Sequence, residues 1–310
     1  LPRLVYLRDL SIFYKKALLA QFYEKALPNY NFGKDDVLKA CLVMCDLEVQ
    51  YKIKNFNSDN LAIISGNWHS IKKYLNLTVK LIARYGFMPK NIVSLYALIP
   101  IAYYLLRNNY SDTFIASQAT SDIAIKTEII KWFTKAQLTG AFGSSSDSTL
   151  KAIRTAINEG KSFKEINLGR RIDREDVDKW LSKEGYQSRL SHLLLMMTTE
   201  TRYWEDCYQD HIFPRSKFKE PVFTAMGLTE QDKQFYNQHA NSIANLHLLN
   251  SSVNISKSDN DFIDWSASQN KEFLAASRIP ADIDLDFNNF RQFIEHRKEA
   301  LTDLLLRKLQ

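Results

Sequence analysis

Residues 208–218 read YQDHIFPRSKF and place an acid and a histidine side by side in front of an apolar pair and a proline. The chain has only six histidines, so this use of one calls for an explanation. Two interpretations are open. The stretch is either a strand that ends in polar residues, or a catalytic corner in which the acid holds a metal ion and the histidine activates water. The residues that follow decide between them.

Two strand-like segments and a helix start surround this pair. Residues 204–214, WEDCYQDHIFP, are strand-like, and a polar, partly helical insertion follows over about residues 217–238. The run IANLHLL, residues 243–249, predicts a second strand, and residues 250–265 predict a turn and a helix. The sequence therefore predicts the order strand, insertion, strand, helix.

Polar side chains lie on the two predicted strands and at the start of the predicted helix. We expect Asp210 and His211 at the end of the first strand, Asn245 on the second strand, and Asn254 at the start of the helix. A histidine titrates near neutral pH, which makes His211 a candidate general base. Carboxylate and amide oxygens suit a magnesium ion that keeps several waters, so Asp210 and Asn254 are candidate metal ligands.

Each residue also has an ordinary interpretation. Asn245 alone is typical of a strand edge or a turn, and Asn254 alone of a helix N-cap. Arg215, Lys217 and Lys257 alone are surface charges, whereas beside a catalytic corner they are candidates for contact with DNA phosphate. The order of these residues along one frame favours the catalytic interpretation.

The order Asp-His, Asn, Asn-x-x-Lys resembles the HNH, or His-Me finger, nuclease pattern, with Lys257 in its last position. The chain also resembles the C-terminal part of GmrSD-type restriction proteins and of the related SspE-type phage-defence proteins. The segments behind this resemblance are NWHSIKKYL, SLYALIPIAYYLL, IIKWFTKAQLTGAFGSSSDSTL, QDHIFPRS, SIANLHLLNSSVNISKS and FRQFIEHRKEALTDLLL. The resemblance implies a metal-dependent DNA endonuclease of restriction or phage defence. It also implies that Asn245 orients the imidazole of His211.

The predicted fold class is mainly α. We predict an α-helical domain over residues 1–160 and an HNH endonuclease domain over residues 161–310. The second domain is expected to have a ββα-metal (His-Me finger) core over residues 205–265, surrounded by helices. Apolar residues at three- and four-residue spacing predict the helices of the first half. Their predicted N-caps are Asp35 and Asp147, and their predicted left-handed C-terminal caps are Gly86, Gly140 and Gly160.

Composition limits the partners and cofactors. Residues 1–160 carry 20 Lys and Arg against 12 Asp and Glu, an excess of +8, so a polyanion such as DNA is a candidate partner. The apolar run over residues 92–106 is short and contains Pro100, which predicts a buried helix with a proline kink or break and no membrane partner.

No signal peptide opens the sequence, which makes the cytoplasm the default location. The three cysteines form no C-x-x-C pair, so we expect neither a zinc site nor disulfides.

The resemblance also bears on what the chain lacks. Members of the family pair an N-terminal nucleotide-hydrolysing domain, marked by D-G-Q-Q-R, with the nuclease, and no GQQR occurs here. The expected cofactor is therefore Mg²⁺ or Mn²⁺, with no nucleotide. The resemblance implies that these 310 residues lack the nucleotide-hydrolysing domain, and whether the chain, which begins with Leu1 rather than Met, is a fragment stays open. Three questions stay open: which DNA is the target, whether the enzyme nicks one strand or cuts both, and whether the chain forms a homo-oligomer.

Two rival functions stay open as well. One is a non-catalytic DNA-binding or regulatory helical module with a degenerate HNH corner, and the other is a metallohydrolase of small phosphoesters. Among the other histidines, His247 shares a strand face with Asn245 and could approach the site, but we rank it below His211 because we expect no carboxylate beside it. His239 has no predicted place. The remaining three, His69, His192 and His296, are predicted to be structural or exposed.

Overall fold

The computed structural model describes residues 32–143, 146–168, 171–199, 207–258 and 260–309. It is mainly helical with one small two-stranded sheet, which confirms the mainly α class. The chain divides into two compact units, unit 1 (Leu1–Arg170) and unit 2 (Arg171–Gln310). In the described part of the chain, no helix combines the length and the apolar character needed to cross a bilayer.

Unit 1 is built from helices in its described residues. These are α1 (Lys34–Met44), α2 (Ser58–Arg84), α3 (Leu98–Arg107), α4 (Thr113–Ala116), α5 (Thr120–Thr139) and α6 (Ser146–Asn158). Short 3-10 helices cover Ile53–Asn55, Pro89–Asn91 and Leu95–Ala97. The most apolar helix, α3, packs against α1, α2 and α6, and therefore forms the centre of the unit.

The predicted ends of these helices are partly right. Gly86, Gly140 and Gly160 have positive φ angles of 84°, 62° and 83°, the left-handed conformation expected of them. The two predicted N-caps are wrong, because Asp35 and Asp147 lie inside the first turns of α1 and α6. Both carboxylates still lie near a helix N-terminus, where the backbone N–H groups favour negative charge.

Pro100 does not kink a helix. The predicted helix over residues 92–106 is instead a 3-10 turn, Leu95–Ala97, followed by α3, and Pro100 lies in the first turn of α3. A residue in the first turn has no intrahelical acceptor for its N–H group, so proline costs nothing there.

Unit 2 surrounds a short antiparallel sheet with helices. Its described elements are α7 (Arg174–Lys183), α8 (Arg189–Thr198), β1 (Cys207–His211), α9 (Glu220–Ala225), α10 (Glu230–His239), β2 (Leu246–Asn250), α11 (Ser251–Lys257), α12 (Phe262–Ala267), α13 (Lys271–Ala276) and α14 (Phe290–Leu309). Short 3-10 helices cover Arg215–Lys217, Ile243–Asn245 and Phe287–Asn289. The predicted insertion thus consists mainly of α9 and α10.

The sheet and α11 place the predicted site residues. β1 pairs with β2 so that Asp210 lies opposite His247 and His211 opposite Leu246. Helix α11 follows β2 directly and packs against both strands. The order strand, strand, helix is therefore present, and Asp210 and His211 end the first strand as expected.

Two details of that frame differ from the prediction. Asn245 lies in the 3-10 turn before β2 rather than on the strand. Asn254 lies inside α11 rather than at its start, because Asn250 is the N-cap and its side chain accepts a hydrogen bond from the N–H of Val253 at 2.9 Å. The sequence could not separate these cases, since Asn250 and Asn254 are both good capping residues and stand one turn apart.

The aromatic core of unit 2 supports the loop after β1. Phe213, two residues beyond His211, is 2% exposed and packs edge-on against Phe290 and Phe293 of α14. Phe262 of α12 contacts the same ring. The chain that leaves His211 is therefore anchored in the core.

Candidate functional site

His211 is held in a defined orientation at the end of β1. Its side chain is 7% exposed, its Nε2 lies 2.9 Å from Oδ1 of Asn241, and the ring of Tyr186 lies 4.5 Å away between centroids. An amide oxygen only accepts hydrogen bonds, so this contact places the proton on Nε2 and leaves the lone pair on Nδ1. His211 thus has the tautomer that can take a proton at Nδ1.

The surroundings of His211 keep the ring neutral. Burial lowers the pKa of the imidazole, while the hydrogen bond that its Nε2 donates to Asn241 and the negative charge of Asp210 oppose this shift. The net pKa is below the ordinary value, so His211 is uncharged at pH 7.

A backbone hydrogen bond joins the segment that carries Asn241 to the segment that carries Tyr186. The carbonyl of Asn241 accepts a hydrogen bond from the N–H of Tyr186 at 3.0 Å, beside a bridge between Gly185 and Ser242. A Cβ atom at Gly185 would lie 2.9 Å from the carbonyl oxygen of Asn241, too close for any larger residue without movement. Glycine at this position therefore allows the segment that carries Asn241 to approach closely.

Asp210 uses only one of its two oxygens in contacts within the described residues. Its Oδ2 accepts from Nε2 of His247 at 3.1 Å and from Nζ of Lys257 at 2.9 Å, whereas Oδ1 has no hydrogen bond from them. Burial raises the pKa of this carboxyl, but the hydrogen bond from His247 together with the hydrogen bond and positive charge of Lys257 outweigh burial, and the net pKa is below the ordinary value. Asp210 is therefore a carboxylate with one free oxygen.

Lys257 joins α11 to the end of β1. Its side chain is fully buried, and its Nζ also donates to the carbonyl of His211 at 2.6 Å and lies 5.8 Å from the ring centre of Trp265. This buried place differs from the exposed phosphate contact predicted for it. The ammonium instead fixes Asp210 and the backbone of His211 relative to each other.

His247 contacts the carboxylate of Asp210. The expectation that it lacks a carboxylate neighbour is wrong, because β2 places it directly across from Asp210. Burial lowers its pKa to about 4, so the ring is neutral. Its Nδ1 is buried without a hydrogen-bond partner in the described residues, a loss of roughly 1–3 kcal/mol for a polar group.

Asn245 stabilises the backbone rather than the imidazole of His211. It is fully buried, and its Oδ1 accepts from the N–H of Phe213 at 3.0 Å. Its Nδ2 donates to the carbonyl of Phe213 at 3.2 Å and to that of Ala240 at 2.7 Å. It fixes the chain just after His211, whereas the contact with the ring comes from Asn241.

Asn254, Arg215 and Lys217 lie around these central residues. Asn254 is half-buried on α11, and its side chain makes no hydrogen bond with the residues that the structure describes. Arg215 is exposed and forms no ion pair in that same part of the chain, while Lys217 forms one with Asp261. Of the two predicted surface cations, Arg215 is thus the more available to a phosphate.

The donor set fits a hard divalent cation. The described residues contain no group of three or more His, Cys, Asp and Glu side chains arranged to hold a metal ion. They do provide the free Oδ1 of Asp210 and the unused amide of Asn254, on elements that pack together. One carboxylate and one amide oxygen match Mg²⁺ or Mn²⁺, which keep several waters.

Comparison with known proteins identifies one family. No curated protein matches the chain. Residues 161–304 match the family model described as GmrSD restriction endonucleases, C-terminal domain. The matched segment contains β1, β2, α11 and all the residues of the candidate site. The match supports a GmrSD-type C-terminal nuclease domain over residues 161–304.

Proposed function

We propose that unit 2 is a metal-dependent DNA endonuclease of restriction or phage defence, built on a ββα-metal (His-Me finger) frame. One observation carries the proposal. A neutral, oriented His211 stands beside a carboxylate that keeps one free oxygen, at the junction of β1, β2 and α11. The family match over residues 161–304 supports the same class of enzyme.

His211 is the proposed general base. With Nε2 bonded to Asn241, Nδ1 is the atom that takes a proton from water as the water attacks the phosphodiester. The low pKa keeps the ring in its basic form at pH 7. Asn241 and Tyr186 limit the rotation of the ring, and Asn245 fixes the backbone that follows it.

Asp210 and Asn254 are the proposed ligands of Mg²⁺ or Mn²⁺. When bound, such an ion neutralises charge on the phosphate and on the leaving oxygen, which is worth several kcal/mol in the transition state. Asp210 supplies Oδ1 and Asn254 its amide oxygen. Lys257 and His247 keep the carboxylate ionised and in place.

DNA is the proposed substrate, and Arg215 is the proposed phosphate contact. Its exposed guanidinium lies four residues after His211, at the start of a 3-10 turn. A guanidinium can donate two parallel hydrogen bonds to a phosphate. Lys217 has part of its charge balanced by Asp261, so we assign it a smaller share of the binding.

The test is cleavage of a supercoiled plasmid in Mg²⁺, with and without EDTA. We expect nicking that EDTA abolishes and that His211→Ala reduces by roughly 10²- to 10⁴-fold. His239→Ala is the matched control, since that ring is half-buried on α10 and its Nδ1 bonds the carbonyl of Phe235. If His211→Ala cuts at the wild-type rate, the assignment of the base is wrong.

A non-catalytic DNA-binding module is the second candidate, and one contact favours it. Lys257 already lies 2.9 Å from Asp210 and competes with a metal ion for the carboxylate. This candidate requires a salt-sensitive gel shift without nicking, in the presence or absence of EDTA.

A further inference from the structure

We infer that His247 and Lys257 are positioning residues that restrict Asp210 to one metal-binding oxygen, so that the site takes Mg²⁺ or Mn²⁺ in preference to Ca²⁺. This inference rests on the proposed function. The proposed function requires a divalent cation. The inference says which cation is preferred, and it attributes the preference to two side chains that do not touch the metal.

The two donors converge on one atom. Nε2 of His247 and Nζ of Lys257 both reach Oδ2 of Asp210, at 3.1 Å and 2.9 Å, and Oδ1 receives no donor from the described residues. A carboxylate oxygen that accepts two buried hydrogen bonds has little capacity left for a cation. Asp210 can therefore bind a metal through Oδ1 alone.

The donors are also fixed in space. His247 lies on β2 directly across from Asp210, and its ring packs against those of Phe262 and Trp265. Lys257 is tied to the carbonyl of His211 as well as to Asp210. A turn of the carboxylate that brought both oxygens to a metal would break both contacts with Oδ2.

The hydrogen bond to Asp210 accounts for a histidine at this place. The surroundings of His247 are largely aromatic, and its Nδ1 has no hydrogen-bond partner among the described residues. An apolar side chain would fill this space without leaving a polar atom unsatisfied. Compared with an apolar side chain, the histidine adds a hydrogen-bond donor at Nε2.

The consequence is a choice between cations. Ca²⁺ takes six to eight oxygens and often binds a carboxylate through both of them, whereas Mg²⁺ requires a near-octahedral set of single oxygens. A carboxylate limited to Oδ1 suits the second arrangement. Without the His247 donor, the carboxylate of Asp210 should be free to turn and to present both oxygens, which should raise the affinity for Ca²⁺ relative to Mn²⁺.

The experiment measures metal binding directly, by calorimetric titration with Mn²⁺ and with Ca²⁺. The chain is compared with His247→Leu, which removes the donor, and with His247→Gln, whose amide nitrogen can replace Nε2. We expect His247→Leu to lower the ratio of Mn²⁺ to Ca²⁺ affinity about tenfold, as losses of contacts to a ligand do. His247→Gln should restore most of the ratio. His247→Met is the second donor-free variant if His247→Leu does not fold, as judged by circular dichroism.

The outcomes separate the inference from the proposed function. An unchanged ratio in His247→Leu or His247→Met, with Mn²⁺ binding still abolished by Asp210→Asn, overturns the inference and leaves the metal site intact. Mn²⁺ binding that Asp210→Asn does not affect, together with plasmid nicking that resists EDTA, contradicts the proposed function and the inference with it.

Discussion

Lys39 in unit 1 and Lys257 in unit 2 are buried lysines with closely similar contacts. Lys39 pairs with Asp147 and donates to the carbonyl of Val49 at 3.0 Å, and Lys257 pairs with Asp210 and donates to the carbonyl of His211 at 2.6 Å. Each ammonium also lies within 6 Å of an aromatic ring.

The carboxylates of the two pairs differ. The side chain of Asp147 is 40% exposed, lies in the first turn of α6, and lines a cavity of about 520 Å³. The side chain of Asp210 is 19% exposed, receives a second donor from His247, and stands next to the neutral ring of His211.

The difference shows what marks a candidate site in this molecule. A buried Lys–Asp pair alone is a structural contact, since a buried ammonium needs a partner wherever it lies. The pair in unit 2 is distinguished by a free carboxylate oxygen, an oriented imidazole and an unused amide on the same frame. We therefore propose a role in catalysis for Asp210 and none for Asp147.

The largest expected difference is in DNA cleavage by the two Asp→Asn variants. Asp210→Asn should reduce plasmid nicking roughly 10²- to 10³-fold, because loss of a metal ligand costs several kcal/mol of transition-state stabilisation. Asp147→Asn is the matched control and should stay within about twofold of the wild-type rate. Nicking rates on supercoiled plasmid measure both, and equal losses would remove the distinction between the two pairs.

The two lysines should differ in stability as well. Lys257→Met removes the ammonium shared by Asp210 and the carbonyl of His211 and leaves the buried carboxylate without a counter-charge, so we expect a loss of about 3 kcal/mol in the free energy of unfolding. Lys39→Met should cost about 1 kcal/mol, because Asp147 is open to water and lies at a helix N-terminus. Urea unfolding measures the losses, and a larger loss for Lys39→Met would contradict this account.

The two units can also be compared through one asparagine in each, whose side chain hydrogen-bonds a ring-bearing residue. Asn241→Ala should slow nicking by roughly 5- to 10-fold, because His211 loses one bond worth about 1 kcal/mol that orients its ring. The control in unit 1 is Asn158→Ala, which removes an acceptor for the hydroxyl of Tyr103 at 2.7 Å and should leave nicking unchanged. Single-turnover rates distinguish the two, and a wild-type rate for Asn241→Ala would show that the contact does not orient the base.

The smallest expected difference concerns exposed cations. Arg215→Gln should weaken DNA binding and lower the slope of log affinity against log salt by about 1, the effect of one phosphate contact. Lys151→Gln removes an exposed cation of unit 1 and should leave the slope unchanged. Gel shifts at several salt concentrations provide the slopes, and equal changes would mean that the basic half of the chain also contacts DNA.

Local patterns predicted part of the fold of both units. The apolar spacing indicated the helices of the first half, and the order of strand, insertion, strand and helix placed Asp210 and His211 at the end of β1. These features depend on neighbours along the sequence, within a few residues of one another. For the same reason the exact helix starts were missed at Asp35 and Asp147, where several nearby residues can cap a helix.

The contacts that complete the site depend on neighbours far apart in the sequence. His247 meets Asp210 only through the register of β1 and β2, and a shift of one residue would turn it to the other face. Asn241 reaches His211 from the end of the insertion. The burial of Lys257 follows from how α11 packs against the strands, which no local pattern indicates.

The central claim is that Asp210 and Asn254 share one ion beside a neutral His211. A crystal of the chain soaked in Mn²⁺ tests it through the anomalous scattering of the metal. We expect one peak about 2.0–2.3 Å from Oδ1 of Asp210 and from the amide oxygen of Asn254, with Oδ2 still bonded to His247 and Lys257. A peak that excludes Asp210, or no peak at saturating Mn²⁺, would contradict the claim.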